Sequence, residues 1–152
     1  MSKSVALSGA DTILIDDRIL VNLADGDCVH ITFPNDITTV KAGKDGNMIY
    51  AFNQMGKVTM ASLRVLLGSD DDKFLTALLQ EMENDFSGFT LMTGSFSKRV
   101  GDGAGNISTV VYQMSGGTFK KQQEAKTSAE GDAEQSVVVY EITFGNGDKS
   151  IQ

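Results

Sequence analysis

Val29, Ile31 and Phe33 alternate with Cys28, His30 and Thr32, the period of a strand with one buried face. Upstream, Ile13-Leu14-Ile15 and the apolar group Ile19, Leu20, Val21 and Leu23 read as two short strands around Asp16-Asp17-Arg18. Pro34-Asn35-Asp36 breaks the strand that starts near Val29, and residues 37–41 form a β-branched stretch after it. Asp45-Gly46 then sits between strand-like segments, a strong short-range hairpin signal. The segment that leaves this turn, Met48-Ile49-Tyr50-Ala51-Phe52, does not alternate at all. A strand that is apolar at every position needs cover on both faces.

Residues 57–67 are strand-like but change phase. Val58 and Met60 share one parity, whereas Leu63, Val65 and Leu67 share the other. A β-bulge at Ala61-Ser62 would return the apolar side to the core. The one helical pattern follows, over about residues 70–86. Ser69 is a good N-cap with Asp72 three positions on, completing a capping box. Asp70, Asp71 and Asp72 place negative charge where the helix dipole favours it. Phe74, Leu75, Leu78, Leu79, Met82 and Phe86 form a single apolar stripe at helical spacing, and Ser87-Gly88 ends it. Such a stripe needs a sheet or a partner to cover it, and the chain's own sheet is the expected cover.

Strands resume over residues 89–100 and, beyond the glycine-rich loop 101–106, over residues 107–114. Ser115-Gly116-Gly117 relaxes the latter. Residues 118–127 read as a polar strand, residues 128–132 as a turn, and Val138, Tyr140, Ile142 and Phe144 as the inward face of a last strand that glycine terminates. The sum is a mainly β domain, a sandwich or barrel with one flanking helix, in two layers around one core. No fixed-period repeat and no dividing linker interrupts residues 1–152, which read as a single domain.

Acids outnumber bases 20 to 13, for a formal net charge of −7. That excludes a domain that grips nucleic acid through its phosphates, since such affinity comes from Lys and Arg. The single Cys28 rules out an intrachain disulfide, and with one His and one Cys the chain cannot assemble a four-ligand zinc site. No apolar run approaches the ~20 residues of a membrane span, and residues 1–9 lack the apolar core of a secretory signal. The chain is expected to be soluble, made in the cytoplasm, and free of any membrane segment.

Candidate catalytic motifs fail on geometry. Ser95-Phe96-Ser97-Lys98 matches S-x-x-K, but on a strand residues three apart face opposite ways, and the S-D-N and K-T-G partners are missing. The loop at Gly101-Asp102-Gly103-Ala104-Gly105-Asn106 has Asn where a phosphate loop needs its last glycine, and it leads into a strand. Asp70, Asp72 and Glu81 fall at the first, third and twelfth places of a calcium loop, but Phe74 and Leu75 stand at the fifth and sixth. His30 has no spacing relation to Cys28 that suggests a nucleophile and base. The chain is therefore read as a non-enzyme without a cofactor.

From residue 27 to 79 the order of parts resembles the tail tube proteins of contractile-tailed bacteriophages. A V-x-I-x-F strand is followed by a turn carrying Thr39, Gly43, Asp45 and Gly46, then by the apolar strand. Next comes a G-x-V-T strand (Gly56, Val58, Thr59) ending in Leu66-Leu67, a polar cap and a leucine-rich helix. Downstream, the Phe119-Lys120-Lys121 segment, a flexible loop and a hydrophobic final strand agree more loosely. The resemblance implies strands that join an inter-subunit barrel in a hexameric ring, with rings stacked into a tube. DNA would pass through the channel without specific binding, on its way to ejection. It also implies a sheath protein and baseplate or initiator proteins as partners, and a place in the virion tail. The strand at residues 48–52 would then have one face on its own core and the other on a neighbour. Asp45, Gly46, Met48, Tyr50 and Phe52 are the expected subunit interface. Lys120 and Gln122 are added from the polar strand, a candidate for a ring-facing or channel-facing surface.

Two other readings stand beside this one. The same architecture serves tailocins and type VI-like secretion machines, which carry no DNA. A monomeric β-sandwich ligand-binding module would instead use Tyr50, Tyr112 or Tyr140 as an aromatic platform and its acidic loops for calcium.

Overall fold

A computed structural model describes residues 6–23, 29–126 and 137–152, with side chains from residue 12 onward except those of 125 and 126. Cys28 and the turn expected at 128–132 lie outside the described residues. Among the described residues, ten strands and one helix follow in the order β1 (Ala6–Ile15), β2 (Arg18–Ile19), β3 (Val29–Thr32), β4 (Thr38–Ala42), β5 (Met48–Phe52), β6 (Thr59–Leu66), α1 (Asp70–Asn84), β7 (Met92–Gly101), β8 (Ile107–Phe119), β9 (Glu124–Lys126) and β10 (Val137–Ile151). A 3-10 turn, Gln54–Lys57, separates β5 from β6. One antiparallel sheet runs β2-β1-β7-β8-β10-β6-β3, with β9 on the outer part of β10, while β4 and β5 form a separate two-stranded sheet.

The large sheet closes over its own core because two long strands turn a corner together. On β8 the inward residues are Met114 and then Gly117 and Phe119; on β10 they are Val138, Tyr140, Ile142 and Phe144, and then Gly147. Each strand changes parity once, at facing positions, since Phe144 pairs with Gly117 and Gly147 with Met114. Gly116 supplies the left-handed backbone the corner needs, at φ 67°. One half of the sheet therefore presents Ile13, Ile15, Met92 and Met114 to the core, and the other presents Ala61, Leu63, Val65, Tyr140, Ile142 and Phe144. Leu75 and Leu79 of α1 close the same cluster, giving a sandwich-like arrangement with a flanking helix.

The helix is held by polar groups as well as by its stripe. Ser69 Oγ accepts from the Asp72 amide at 3.2 Å, as the capping pattern predicts. Asp72 answers one residue earlier than expected, accepting from the Gly68 amide at 2.8 Å. Asp71 does more than place charge at a helix end. Its side chain is fully buried, accepts the Val21 and Asn22 amides at 2.6 Å each, and lies 3.5 Å from the Arg18 guanidinium. Tyr140 is likewise enclosed, and its hydroxyl meets Asp72 Oδ1 at 2.5 Å and Thr76 Oγ1 at 2.7 Å. Burial, followed by the bond to the Asp72 carboxylate, pushes its ionisation well above the ordinary tyrosine range.

Several expectations are corrected. β6 carries no bulge: its register against β10 runs unbroken from Val137–Leu66 to Phe144–Thr59. The phase change came from counting Val58, which caps the 3-10 turn before the strand, and Met60, which faces outward; Thr59 is the buried residue. The last strand does not end at Phe144, because Gly145 and Gly147 sit at and beside the corner and β10 continues to Ile151. Residues 118–127 are not one polar strand. Thr118 and Phe119 finish β8 with Phe119 buried, and only Glu124–Lys126 return to the sheet. Ser115-Gly116-Gly117 lies inside β8. After the β1–β2 turn, where Asp16 and Asp17 both take positive φ as a tight two-residue hairpin requires, pairing lasts only through Ile19. β7 starts at Met92, and Phe86 lies beyond the helix, exposed.

A Cβ on Gly117 would come within 2.6 Å of the Phe144 ring, so Gly117→Ala is expected to lower unfolding free energy by about 1–3 kcal/mol in chemical denaturation. Tyr140 generates a pH dependence. Its folded ionisation lies above the unfolded value near 10, so its contribution is complete below that pH and is lost as pH rises past it. Denaturation midpoints should fall on raising the pH above about 10, and fall less steeply in Tyr140→Phe.

Candidate assembly surface

The β4–β5 hairpin projects from the domain. Its turn is closed by the Gly43 amide to Asn47 O at 2.6 Å and the Gly46 amide to Gly43 O at 3.2 Å, with Gly46 at φ 82°. Every residue of both strands is exposed. Tyr50 is 74% exposed, Phe52 66%, Ile49 63% and Met48 48%. The expectation that one face of β5 rests on the chain's own core is therefore wrong. The core is already closed by β6, β10 and α1, and the hairpin lies outside it.

Register sorts the hairpin into two unlike faces. Val40 opposes Tyr50, Thr38 opposes Phe52 and Ala42 opposes Met48, so this face is apolar apart from a threonine. On the other face Lys41 opposes Ile49 and Thr39 opposes Ala51. An isolated two-stranded hairpin is marginal in water. This one is fixed at its base, where the Asn53 amide donates to Ile37 O at 2.6 Å and Asn35 Nδ2 donates to Met55 O at 3.0 Å. Asn53 Oδ1 caps the 3-10 turn by accepting from the Met55 amide at 3.0 Å.

A groove of about 360 Å³ opens at that base. Phe33, Ile37 and Phe52 line it on the hairpin side, and Gly147, Asp148 and Lys149 on the β10 side. Lys57 reaches across to pair with Asp148 at its rim. Gly56 is buried below Ile37, where a Cβ would lie 3.1 Å from the Ile37 Cα. A second cleft of similar volume, beside β7 and β8, has a mixed lining that includes Leu14, Met114, Asp17, Ser95, Gln113 and Asn146. Among the described residues no three His, Cys, Asp or Glu side chains stand together as metal ligands, and no helix is long and apolar enough to cross a membrane.

Of the residues expected at an interface, Asp45, Gly46, Met48, Tyr50 and Phe52 share this hairpin. Lys120 and Gln122 do not belong to it. The Lys120 amide bonds Glu141 O at 2.9 Å and its ammonium lies 3.9 Å from Met60 Sδ, while Gln122 bonds Glu83 of α1. Sequence reasoning overlooked Phe33, Ile37 and Met55, exposed apolar residues around the base. The alternation places Phe33 on the buried face of a strand, but β3 ends at Thr32 and leaves it exposed, and Ile37 reads only as part of a β-branched stretch. The tyrosines form no platform: Tyr140 is buried in the core, Tyr112 is half-buried with its ring 6.1 Å from that of Phe96, and Tyr50 stands on the hairpin.

No protein-family model matches the sequence, and no curated protein sequence does. Solved structures do share its fold. A chain of the sheath–tube complex of an extracellular contractile injection system (PVC, extended state) is similar with a TM-score of 0.62 at 10% identity, over 93% of this chain and 88% of that one. The sheath/tube terminator of the PVC system in its extended state gives 0.60 at 11% identity over 92% of both chains. The tube-terminating cap of the anti-feeding prophage gives 0.60 at 10% identity, over 93% and 88%. The fold is that of chains from the tube assemblies of contractile systems.

If the hairpin faces lie outside the core, removing their apolar groups must leave the single chain intact. Tyr50→Ser and Phe52→Ser are each expected to change its unfolding free energy by no more than about 0.5 kcal/mol, measured by denaturation at concentrations where it is monomeric.

Proposed function

We propose that this chain is a structural subunit of the tube of a contractile tail or injection machine, working by self-assembly into stacked hexameric rings around a channel. One observation carries the reading: a chain with this fold holds an apolar hairpin face wholly outside its own core. Monomeric proteins rarely expose contiguous apolar surface of this kind, and identical copies can cover it for one another. The interface in this reading includes Asp45, Gly46, Met48, Tyr50 and Phe52, with Lys120 and Gln122 as a further contact on the β6–β10 side. The sheath and the baseplate or initiator are the outer partners. In a phage tail the channel passes DNA without binding it specifically and the assembly belongs to the virion; in a tailocin or secretion-type machine the same tube carries other cargo. No chemical step is part of this function.

A second reading is supported by two of the neighbours, which terminate or cap a tube rather than repeat along it. Negative-stain microscopy of the purified chain across a concentration series, with and without a preformed initiator, separates the readings. Hollow filaments of uniform width are the expected result. Single rings that never stack would favour the terminator. A chain that stays monomeric under every condition would overturn the tube reading.

A further inference from the structure

We infer that the Asp45-Gly46 step in the β4–β5 turn is a site of spontaneous covalent modification, through a succinimide to isoaspartate, and that the fold spares the other described Asp-Gly and Asn-Gly steps. The reaction needs only the chain and water. The Gly46 amide nitrogen attacks Asp45 Cγ, the N–Cγ bond forms, and the carboxyl hydroxyl leaves as water with the amide proton. Glycine favours the attack because it has no Cβ to obstruct it. Water then reopens the ring. Opening at Cγ restores aspartate, whereas opening at the Asp45 main-chain carbonyl routes the backbone through the side chain and frees the α-carboxylate.

Asp45-Gly46, Asp102-Gly103 and Asn146-Gly147 lie among the described residues, and Asp25-Gly26 lies outside them. Asp45 is exposed, and its carboxylate has no partner among the described residues. Gly46 stands at φ 82° with open space where a Cβ would be. Its amide is restrained by a bond to Gly43 O at 3.2 Å, the long end of the normal range. Asp102 instead accepts the Ala104 amide at 2.7 Å and the Asn106 amide at 3.1 Å through Oδ1, and Asn106 Nδ2 at 2.7 Å through Oδ2. These bonds, led by the Asn106 side chain, hold its carboxyl below the usual carboxylate range, so it stays ionised where the reaction needs a leaving hydroxyl. Asn146-Gly147 is locked inside β10, in register with Ser115 and Met114 of β8, and a Cβ on Gly147 would run into Thr59 Oγ1. The extra main-chain methylene at residue 45 falls between Gly43 and Asn47, inside the turn that their hydrogen bond closes, so modification loosens the hairpin's tip.

The freed α-carboxylate is the group that an isoaspartate O-methyltransferase esterifies, moving a methyl from the sulfonium of S-adenosylmethionine to the carboxylate oxygen and leaving S-adenosylhomocysteine. That enzyme is therefore the probe. The folded chain is aged in mild acid, at about pH 5, where carboxyl groups begin to take up protons. It is then followed by intact mass, methyl uptake and peptide mapping. A species lighter by one water should appear first, and methyl uptake should then map to residue 45 and exceed that at residues 102 and 146. Asp45→Glu, which would have to close a larger ring, should lose the signal at that position with its melting transition unchanged. Asn106→Ala, which strips Asp102 of its side-chain donor, should add a second signal at residue 102. Equal uptake at residues 45 and 102 in the wild-type chain would overturn the inference, as would an aged chain with no isoaspartate at residue 45. An Asn106→Ala chain that gains nothing at residue 102 would overturn the ordering of the sites.

Discussion

Phe144 sits where two glycines leave it room. Cβ atoms at Gly94 and Gly117 would each come within 3 Å of its ring, at 2.8 and 2.6 Å. That ring fills the inside of the corner at which β8 and β10 change parity, so the large sheet can bend back on itself and bury both halves in one core. Everything else is placed by the bend. Gly147, past the corner, lies where a Cβ would run into Thr59, so β10 and the start of β6 are held at close quarters. The remaining open side takes Leu75 and Leu79, and Asp71 and Tyr140 tie the helix to the β2 side and to β10. Once these surfaces are used, the core has no face left for β4 and β5.

The hairpin is therefore surplus to the single chain, and its magnitude matters. Burying the face formed by Met48, Tyr50 and Phe52 is worth at most about 4.5–9 kcal/mol at roughly 1.5–3 per fully buried side chain. Bringing two molecules together costs about 4–15 kcal/mol before any gain appears. One hairpin contact thus sits near balance, too weak to make stray dimers persist. In the stacked rings proposed above, several such contacts would share one loss of rigid-body freedom, and the balance would turn favourable. The proposed tube role would call for such behaviour, in which single chains stay apart and an ordered end presents many sites together.

The legible parts of the chain were those with a strong local cause. Ser69 before an acidic turn and a leucine stripe marked the helix, and Asp45-Gly46 before five apolar residues marked the hairpin. That this strand is apolar beyond what one buried face needs was visible in its missing alternation; that neither of its faces touches the core was not, because one-dimensional pattern cannot say which strands close a core first. The long β8 and β10 were cut short because glycine reads locally as a stop. Here Gly116, Gly117 and Gly145 serve a corner shared by two strands far apart in sequence, a pairwise property that neither strand displays alone. Asp71 escaped for a similar reason. Three successive acids at a helix start all suit the dipole, and only the fold shows that the middle one turns inward to the Val21 and Asn22 amides.

The same logic explains how a fold can persist near 10% identity. The corner asks for small residues at a few facing positions, the core for inward apolar parity, and the helix for a cap and a stripe. Many sequences meet those demands. The net charge of −7 is of another kind, since it makes copies repel at long range and keeps dilute chains apart. At physiological salt that repulsion fades over about 8 Å, whereas apolar contact acts only at touching distance. In the proposed assembly, charge would govern how readily copies meet, and apolar contact would act only once they touch.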